Sequence, residues 1–128
     1  MRIEHIGYQV SDPAAVAGWY VEHFGFVIKR SADAPVPVRF LADSSGQVIL
    51  EIYNNPKVPV PDYASMDPLT LHIAFVCEDV PGSVKRCLAA GATTVTEAET
   101  LDNGDELAML RDPWGLCIQM AKRGSPLL

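Results

Sequence analysis

Two histidines, a glutamate and a glutamine stand at matching places in two copies of one sequence pattern. The stretch RIEHIGYQVSD around His5 returns in outline as LTLHIAFVCED around His72, at an offset of 67. Further along, VILEIY and LCIQMA place Glu51 opposite Gln119 at an offset of 68. Imidazole nitrogens and carboxylate or amide oxygens are ligand types that divalent metal ions use. The repeat therefore predicts two equivalent structural units that together supply one polar, metal-binding site.

The chemistry of these four residues narrows the kind of ion and reaction. Two neutral imidazoles, one carboxylate and one amide suit Ni²⁺, Zn²⁺, Co²⁺, Mn²⁺ or Fe²⁺ better than Ca²⁺, which prefers oxygen ligands throughout. Such an ion polarises a substrate carbonyl and stabilises the enolate that forms beside it. Glu51 is the only strong base among the four, so we assign the proton transfer to it. His5, His72 and Glu51 also match a two-histidine, one-carboxylate iron site, which leaves oxygenase chemistry open.

Each candidate residue also has an ordinary structural interpretation. A lone histidine on a strand is usually a hydrogen-bonded residue without a ligand role, and only the repeated pairing favours a site. Gln119 is either a ligand or a polar residue on a solvated face, because a neutral amide is a weak ligand. Arg39 and Arg111 lie on equivalent strands and could hold an anionic substrate, although solvated strand charges are the simpler explanation. Tyr53 could flank an apolar pocket or simply pack near a turn.

The strands that carry the polar residues are predicted from alternation of apolar and polar positions. Because successive strand residues point to opposite faces, Glu51 and Gln119 face away from the aliphatic row of their own strand. The aliphatic positions of these two strands are Val48, Leu50, Ile52, Leu116, Ile118 and Met120. We expect His5 and His72 to lie on the polar faces of the first strand of each copy.

Each copy is predicted to contain one helix between its first strand and three further strands. Asp12 and Asp79 are typical N-cap residues, and Gly25 and Gly91 are expected to end the two helices. The later strands are predicted at 26–30, 36–43 and 47–53, and at 93–100, 105–111 and 116–121. The order is therefore βαβββ twice, which is an α+β fold.

The domain prediction is a single domain over residues 1–128 that contains two modules. The first module covers 1–54, a proline-rich linker covers 55–68, and the second module covers 69–122. The linker is expected to be extended, because its prolines prevent it from pairing as a central strand. At roughly 3.3 Å per residue it could reach across a neighbouring subunit.

Composition excludes several classes of protein. The net charge is −6, with 10 basic and 16 acidic residues and no basic cluster, which argues against nucleic acid or an anionic membrane surface as a partner. No apolar run is long enough to span a membrane, and the start of the chain does not read as a signal peptide. The 3 cysteines have no CxxC spacing and are expected to be reduced thiols in a cytoplasmic protein.

With two βαβββ units predicted, the chain resembles the vicinal oxygen chelate superfamily, which includes glyoxalase I, bleomycin resistance proteins and extradiol dioxygenases. The resemblance covers about residues 2–122, and its markers are EHIGYQVSDP, YVEHFGF, LEIYNNP, LHIAF and DPWGLCIQM. It implies a half-open barrel of the glyoxalase and bleomycin-resistance type, paired in a homodimer, and a small-molecule substrate.

In the metalloenzymes of that superfamily, each copy supplies one ligand from its first strand and one from its fourth. The corresponding positions here are His5, Glu51, His72 and Gln119, where the family usually has glutamate at the last. Gln9 stands where glyoxalase I has an arginine that holds the glutathione carboxylate, and Asn55 matches a glyoxalase contact.

The resemblance implies a metal-dependent lyase or isomerase of the glyoxalase type that acts on a small oxygenated metabolite. The alternatives are a metal-free protein of the bleomycin-resistance type that sequesters a ligand, and an extradiol-type dioxygenase. Fe²⁺ dependence and oxygen uptake would distinguish the dioxygenase.

Overall fold

The computed structural model describes residues 1–47 and 49–127. The chain divides into two compact units, Met1–Pro61 and Asp62–Leu128. Each unit contains a strand, a helix and three further strands in that order, as described below. The predicted α+β class and the two βαβββ modules are therefore confirmed.

The first unit contains β1 (Ile6–Gln9), α1 (Pro13–Phe24), β2 (Val27–Ala32), β3 (Val38–Ala42) and β4 (Ile49–Tyr53). Its strands form one sheet in the order β1-β4-β3-β2. β1 runs parallel to β4, whereas β3 is antiparallel to both of its neighbours. The parallel pairing places the ends of β1 and β4 side by side at the same edge of the sheet.

The second unit contains β5 (Ile73–Val76), α2 (Val80–Ala89), β6 (Thr93–Thr100), β7 (Glu106–Arg111) and β8 (Cys117–Lys122). Its sheet has the order β5-β8-β7-β6, and β5 is again the strand that runs parallel to its neighbour. The second sheet therefore repeats the topology of the first, strand for strand.

Both helices begin at the predicted caps. The Asp12 carboxylate accepts hydrogen bonds from two backbone N–H groups of the first turn of α1, and Asp79 accepts one from Gly82. Gly25 ends α1 with φ of 70°, a left-handed conformation that glycine adopts without strain. The second helix ends at Ala89, two residues before the predicted glycine, with Ala90 as its C-cap residue.

The aliphatic rows of β4 and β8 form buried core, as the alternation predicted. Leu50 and Ile52 are 3% and 0% exposed, and Ile118 and Met120 are 0% and 2% exposed. Val48, the remaining predicted core position of the fourth strand, lies outside the described residues. The burial leaves the polar residue between each pair on the opposite face of its sheet.

The proline-rich segment between the modules differs from the predicted extended linker. It contains a short 3₁₀ helix, Tyr63–Ser65, which begins where the Asp62 carboxylate accepts a hydrogen bond from Ser65 N at 3.3 Å. Tyr63 is 6% exposed, so its side chain is packed in the core. The spacing of the prolines did not reveal this burial. Among the described residues, neither α-helix is long and apolar enough to cross a bilayer.

Candidate functional site

The first unit brings His5 and Glu51 together. His5 directly precedes β1, and Glu51 is the middle residue of the adjacent parallel strand β4. His5 Nε2 and Glu51 Oε2 are 3.3 Å apart, and the two side chains are 38% and 26% exposed. The alternation of β4 explains this placement, because Glu51 must face away from the buried Leu50 and Ile52.

A glycine beside Glu51 makes room for its carboxylate. Gly7 pairs with Glu51 across the β1–β4 ladder. A Cβ atom at Gly7 would lie 2.8 Å from Glu51 Oε2 and 3.3 Å from the ring carbon Cε1 of Tyr53. Any larger residue at this position would therefore force the carboxylate or the ring to move. Tyr53 lies on the same face of β4 as Glu51, two residues further along the strand.

The ring orientation of His5 follows from its other nitrogen. Nδ1 is hydrogen-bonded to the Glu4 carboxylate, and a carboxylate can only accept, so the Nδ1 proton points to Glu4. The hydrogen bond with Glu4 raises the pKa of His5 above its ordinary value, burial opposes this, and the charges of Glu4 and Glu51 add to it. In the neutral ring the lone pair lies on Nε2, the nitrogen that faces Glu51. The ring of Phe40 packs edge-on against that of His5, with centroids 5.9 Å apart.

The His5–Glu51 pair fits the donor geometry of a divalent transition metal. Two donors that bind one ion at about 2.1 Å, with an angle of about 90–110° between them, are about 3.0–3.4 Å apart. The observed separation of 3.3 Å lies within that range. An imidazole held through its second nitrogen by a carboxylate is also the usual arrangement of a metal-binding histidine.

In the second unit His72 shows the same tautomer. It directly precedes β5, and its Nδ1 donates to the backbone oxygen of Pro68 at 3.0 Å. A carbonyl oxygen can only accept, so the lone pair of the neutral ring again lies on Nε2. Both histidines thus present Nε2 as the nitrogen that is able to bind a metal.

Gln119 occupies the position of β8 that matches Glu51 in β4. It pairs with Ala74 on one side and Met109 on the other, as Glu51 pairs with Gly7 and Phe40. The partner on the edge strand therefore carries a Cβ in the second unit and none in the first. Over residues 1–47 and 49–127, the structure gathers no group of three or more histidine, cysteine, aspartate or glutamate side chains around one point.

Gln9 binds the chain that follows β4. Its Nε2 donates to the backbone oxygens of Asn55, at 3.0 Å, and Val58, and its Oε1 accepts from Asn55 N at 2.9 Å. The side chain of Asn55 accepts from Lys57 N at 3.0 Å. Gln9 is only 5% exposed. In this structure its amide holds the loop at Asn55–Val58 against the end of β1.

The two candidate arginines lie on equivalent strands but at opposite ends. Arg39, near the start of β3, donates to the backbone oxygens of Ala32 and Val38 and pairs with Asp33 at 2.6 Å. Its guanidinium is thus engaged within the β2–β3 hairpin.

Arg111, the last residue of β7, binds backbone oxygens of the second unit. It donates to those of Tyr63 at 2.8 Å, Gly115 at 3.0 Å and Met66 at 2.8 Å. Three backbone oxygens therefore converge on one guanidinium, which ties the 3₁₀ helix to the turn before β8.

The sequence profile of one protein family matches residues 2–120. This chain belongs to the Glyoxalase/Bleomycin resistance protein/Dioxygenase superfamily. The resemblance noted from the sequence is thereby confirmed. Among curated proteins no match is found.

Several solved structures share the fold. A glyoxalase family protein from Bacillus cereus superposes with a TM-score of 0.83 at 18% identity, covering 96% of this chain and 94% of the other. The antibiotic-binding protein TnmS3 from Streptomyces sp. CB03234 gives 0.73 at 19% identity and covers 97% of both chains. A glyoxalase I variant from Zea mays gives 0.76 at 24% identity, and the match covers 97% of this chain but only 46% of the maize protein.

Gly7 and Phe40 lie beside the candidate residues Glu51 and His5, and the sequence analysis did not identify either of them. Phe40 is brought next to His5 by strand pairing across β4, a contact that no local pattern encodes. Gly7 carried a usable signal, because a glycine inside a strand often marks a close approach of another group.

Proposed function

We propose that this superfamily member is a metal-dependent enzyme of the glyoxalase type, a lyase or isomerase that acts on a small oxygenated metabolite. The observation that carries the proposal is the pairing of His5 Nε2 with Glu51 Oε2 at 3.3 Å. An imidazole nitrogen and a carboxylate oxygen at this separation, with both groups partly open to solvent, are a donor pair of the kind that holds a catalytic metal.

His5, Glu51, His72 and Gln119 are the residues that would hold the ion, which we expect to be Ni²⁺, Zn²⁺, Co²⁺, Mn²⁺ or Fe²⁺. When bound, such an ion polarises a substrate carbonyl. Glu4 and the backbone oxygen of Pro68 hold the two imidazole rings in the tautomer that ligation requires. These hydrogen bonds support both histidines as ligands before any metal binds.

Glu51 is the group that would move the proton. Its carboxylate accepts a proton from the carbon next to the substrate carbonyl and returns it to the product. Gln119, the matching residue of the second unit, is an amide and cannot act as a base. A single base favours a proton transfer on one face of the substrate, a lyase step or an addition.

A second candidate function is metal-free binding of a small molecule. The specific observation in its favour is the similarity to the antibiotic-binding protein TnmS3 over 97% of both chains. The His5–Glu51 pair favours the enzyme, because a binding protein has no need of a base beside an imidazole.

Metal analysis of the purified protein tests the proposal. The protein is purified without chelators and without nickel affinity resin, and its metal content is measured by mass spectrometry. We expect about one transition-metal ion per chain, in line with a single four-ligand site. Protein that contains no metal and takes up none of Ni²⁺, Zn²⁺, Co²⁺, Mn²⁺ and Fe²⁺ would refute the metal-dependent enzyme and favour the binding protein.

Histidine variants locate the ion. His5→Ala and His72→Ala are each expected to lower the metal content sharply while the fold remains, because the core faces of β1 and β5 are untouched. His23→Ala is the matched control, since His23 lies on α1 with its ring 5.5 Å from that of Trp19. Full metal content in both His5→Ala and His72→Ala would refute a shared ion.

A further inference from the structure

The end of β5 and the C-terminal tail of the second unit form a cavity of about 330 Å³. Its apolar wall includes Val76, the last residue of β5, together with Pro126 and Leu127 of the tail. Val76 and Leu127 are 81% and 77% exposed, which is unusual for large aliphatic side chains. His72 precedes the opposite end of β5, roughly 13 Å along the strand from Val76. The cavity is therefore distinct from the candidate metal ligands.

In the first unit, the region that corresponds to this cavity by the internal repeat is covered by the chain segment that follows β4. Val76 corresponds to Gln9 at the same offset of 67 that relates the two histidines. Gln9 is 5% exposed, because it binds the backbone of Asn55 and Val58 through three hydrogen bonds. By the offset of 68, residues 55–58 correspond to residues 123–126, the segment that borders the cavity.

The substitution of an amide by valine explains why the second unit remains open. The side chain of Val76, unlike that of Gln9, has no donor or acceptor with which to bind the backbone of the following segment. The tail accordingly leaves Val76 largely exposed, and space remains where the first unit has a loop. An apolar surface left uncovered at this place gains free energy when an apolar molecule displaces water from it.

The charges around the cavity balance. Lys122 and Glu78 both line it and have opposite charges. Arg123 also lines it, but its Nη1 is paired with Asp105 Oδ2 at 2.6 Å. With Arg123 paired to Asp105, the lining carries one positive and one negative side chain and no net charge, so it favours an uncharged ligand.

We propose that this cavity binds an uncharged, apolar small molecule of roughly 15 non-hydrogen atoms. The proposal goes beyond the metal site and does not depend on it. The volume of the cavity is at the lower end of the range of small-molecule pockets, which is about 300–1,000 Å³.

Two fluorescent probes that differ in one group test the charge preference. N-phenyl-1-naphthylamine is uncharged, and 8-anilino-1-naphthalenesulfonate is nearly the same molecule with a sulfonate added. We expect the full-length protein to bind the uncharged probe saturably at one site per chain, and the sulfonate at least roughly 10-fold more weakly. Tighter binding of the sulfonate, or no saturable binding of the uncharged probe, would overturn the proposal.

A substitution taken from the first unit tests the location. Val76→Gln restores the residue that closes the matching place, and we expect it to weaken binding of the uncharged probe by roughly 10-fold or more. Leu69→Gln is the matched control, because Leu69 is also 81% exposed and lies in the same unit outside the cavity. Equal affinity in wild type and Val76→Gln, or a Val76→Gln effect on the oligomeric state without an effect on probe affinity, would assign Val76 to another role.

Cys77 provides a native reporter, because it lines the cavity and is only partly buried. Cys87 and Cys117 are buried, and burial raises the pKa of both thiols, so alkylation by iodoacetamide should select Cys77. The uncharged probe is expected to slow alkylation of Cys77 in wild type and not in Val76→Gln. An unchanged alkylation rate at saturating probe would show that the probe binds elsewhere.

Discussion

The carboxylate of Glu51 distinguishes the two halves of this protein chemically. Its counterpart Gln119 has nearly the same shape and can donate an oxygen, but it cannot accept a proton as a base. The neighbours of these two residues on the edge strands also differ, since Gly7 lies beside Glu51 and Ala74 lies beside Gln119. The carboxylate and the space that it needs therefore occur together in the first unit.

Replacement of Glu51 by glutamine separates metal binding from proton transfer. Glu51→Gln keeps an oxygen ligand and removes the base, so we expect most of the metal to remain and kcat to fall by roughly 100-fold or more. The measurement is turnover of a substrate identified for the wild type, together with metal content. Gln119→Glu is the comparison and should have the milder effect, because it adds an anionic oxygen at a ligand position. If Glu51→Gln is fully active, Glu51 is not the base.

Gly7 should control where the Glu51 carboxylate lies. The Cβ of Gly7→Ala would meet Oε2 at 2.8 Å, so the carboxylate must move away from β1. We expect metal affinity to fall by about 10-fold, a cost of about 1.4 kcal/mol, as measured by competition with a chelating dye.

Gly18→Ala provides the control for that variant. Nothing lies within 4 Å of a Cβ at Gly18, which is inside α1. It should raise stability by up to about 1 kcal/mol and leave metal affinity unchanged. Equal metal affinity in both glycine variants would show that the close approach of Gly7 to the Glu51 carboxylate does not affect metal binding.

At the scale of elements, Arg111 links the 3₁₀ helix to the second sheet. Arg111→Met removes hydrogen bonds to three backbone oxygens, and we expect a loss of about 3 kcal/mol in the free energy of unfolding. Amide exchange should accelerate at Ser65 and Met66, which is measurable by hydrogen–deuterium exchange. Arg39→Met is the matched variant, and its effect should be confined to the β2–β3 hairpin. Unchanged exchange at Ser65 in Arg111→Met would exclude this structural role.

The end of β8 contains an acid-sensitive contact. A hydrogen bond from Arg123 lowers the pKa of Asp105, and the backbone N–H of Gly124 adds to the effect. A carboxyl group with a lowered folded-state pKa stabilises the fold above its unfolded pKa of about 3.9 and loses that contribution as pH falls through the folded value. The melting temperature of wild type should therefore exceed that of Asp105→Asn near pH 7, and the difference should shrink below about pH 4. A difference independent of pH would mean that the ionised form is not what matters.

Alternation and repeat predicted most of the elements, since β4, β8 and both capped helices follow from patterns within a few residues. The contacts of Gln9 and Arg111 were not predictable in this way. Each side chain binds backbone oxygens far along the chain, at Val58 and Met66 for example, and no local pattern encodes such a partner. The common face of His5 and Glu51 was predictable from strand parity, whereas their separation of 3.3 Å depends on the register of β1 and β4, which no local pattern encodes.

For the molecule as a whole, we expect a homodimer. β1 and β2 are the edge strands of the first sheet, and they expose apolar side chains, with Ile6 51%, Val27 57% and Ile28 44% exposed. Edge strands with exposed apolar residues are normally covered, and a second copy of the chain would cover them. Light scattering over a range of concentrations should give twice the mass of the chain. A mass of one chain at every concentration would contradict this expectation.

The connector between the two units is much shorter than the proline-rich segment. Gln9 holds the chain as far as Val58, and the second unit begins at Asp62. Within the described part of the chain, no hydrogen bond involves residues 59–61. These residues belong to no strand, so the chain could be given new termini here by circular permutation, or the connector could be lengthened. Flexible spacers inserted there should cost little stability, because the closure entropy of a flexible loop grows slowly, by about 0.6 kcal/mol for each doubling of its length.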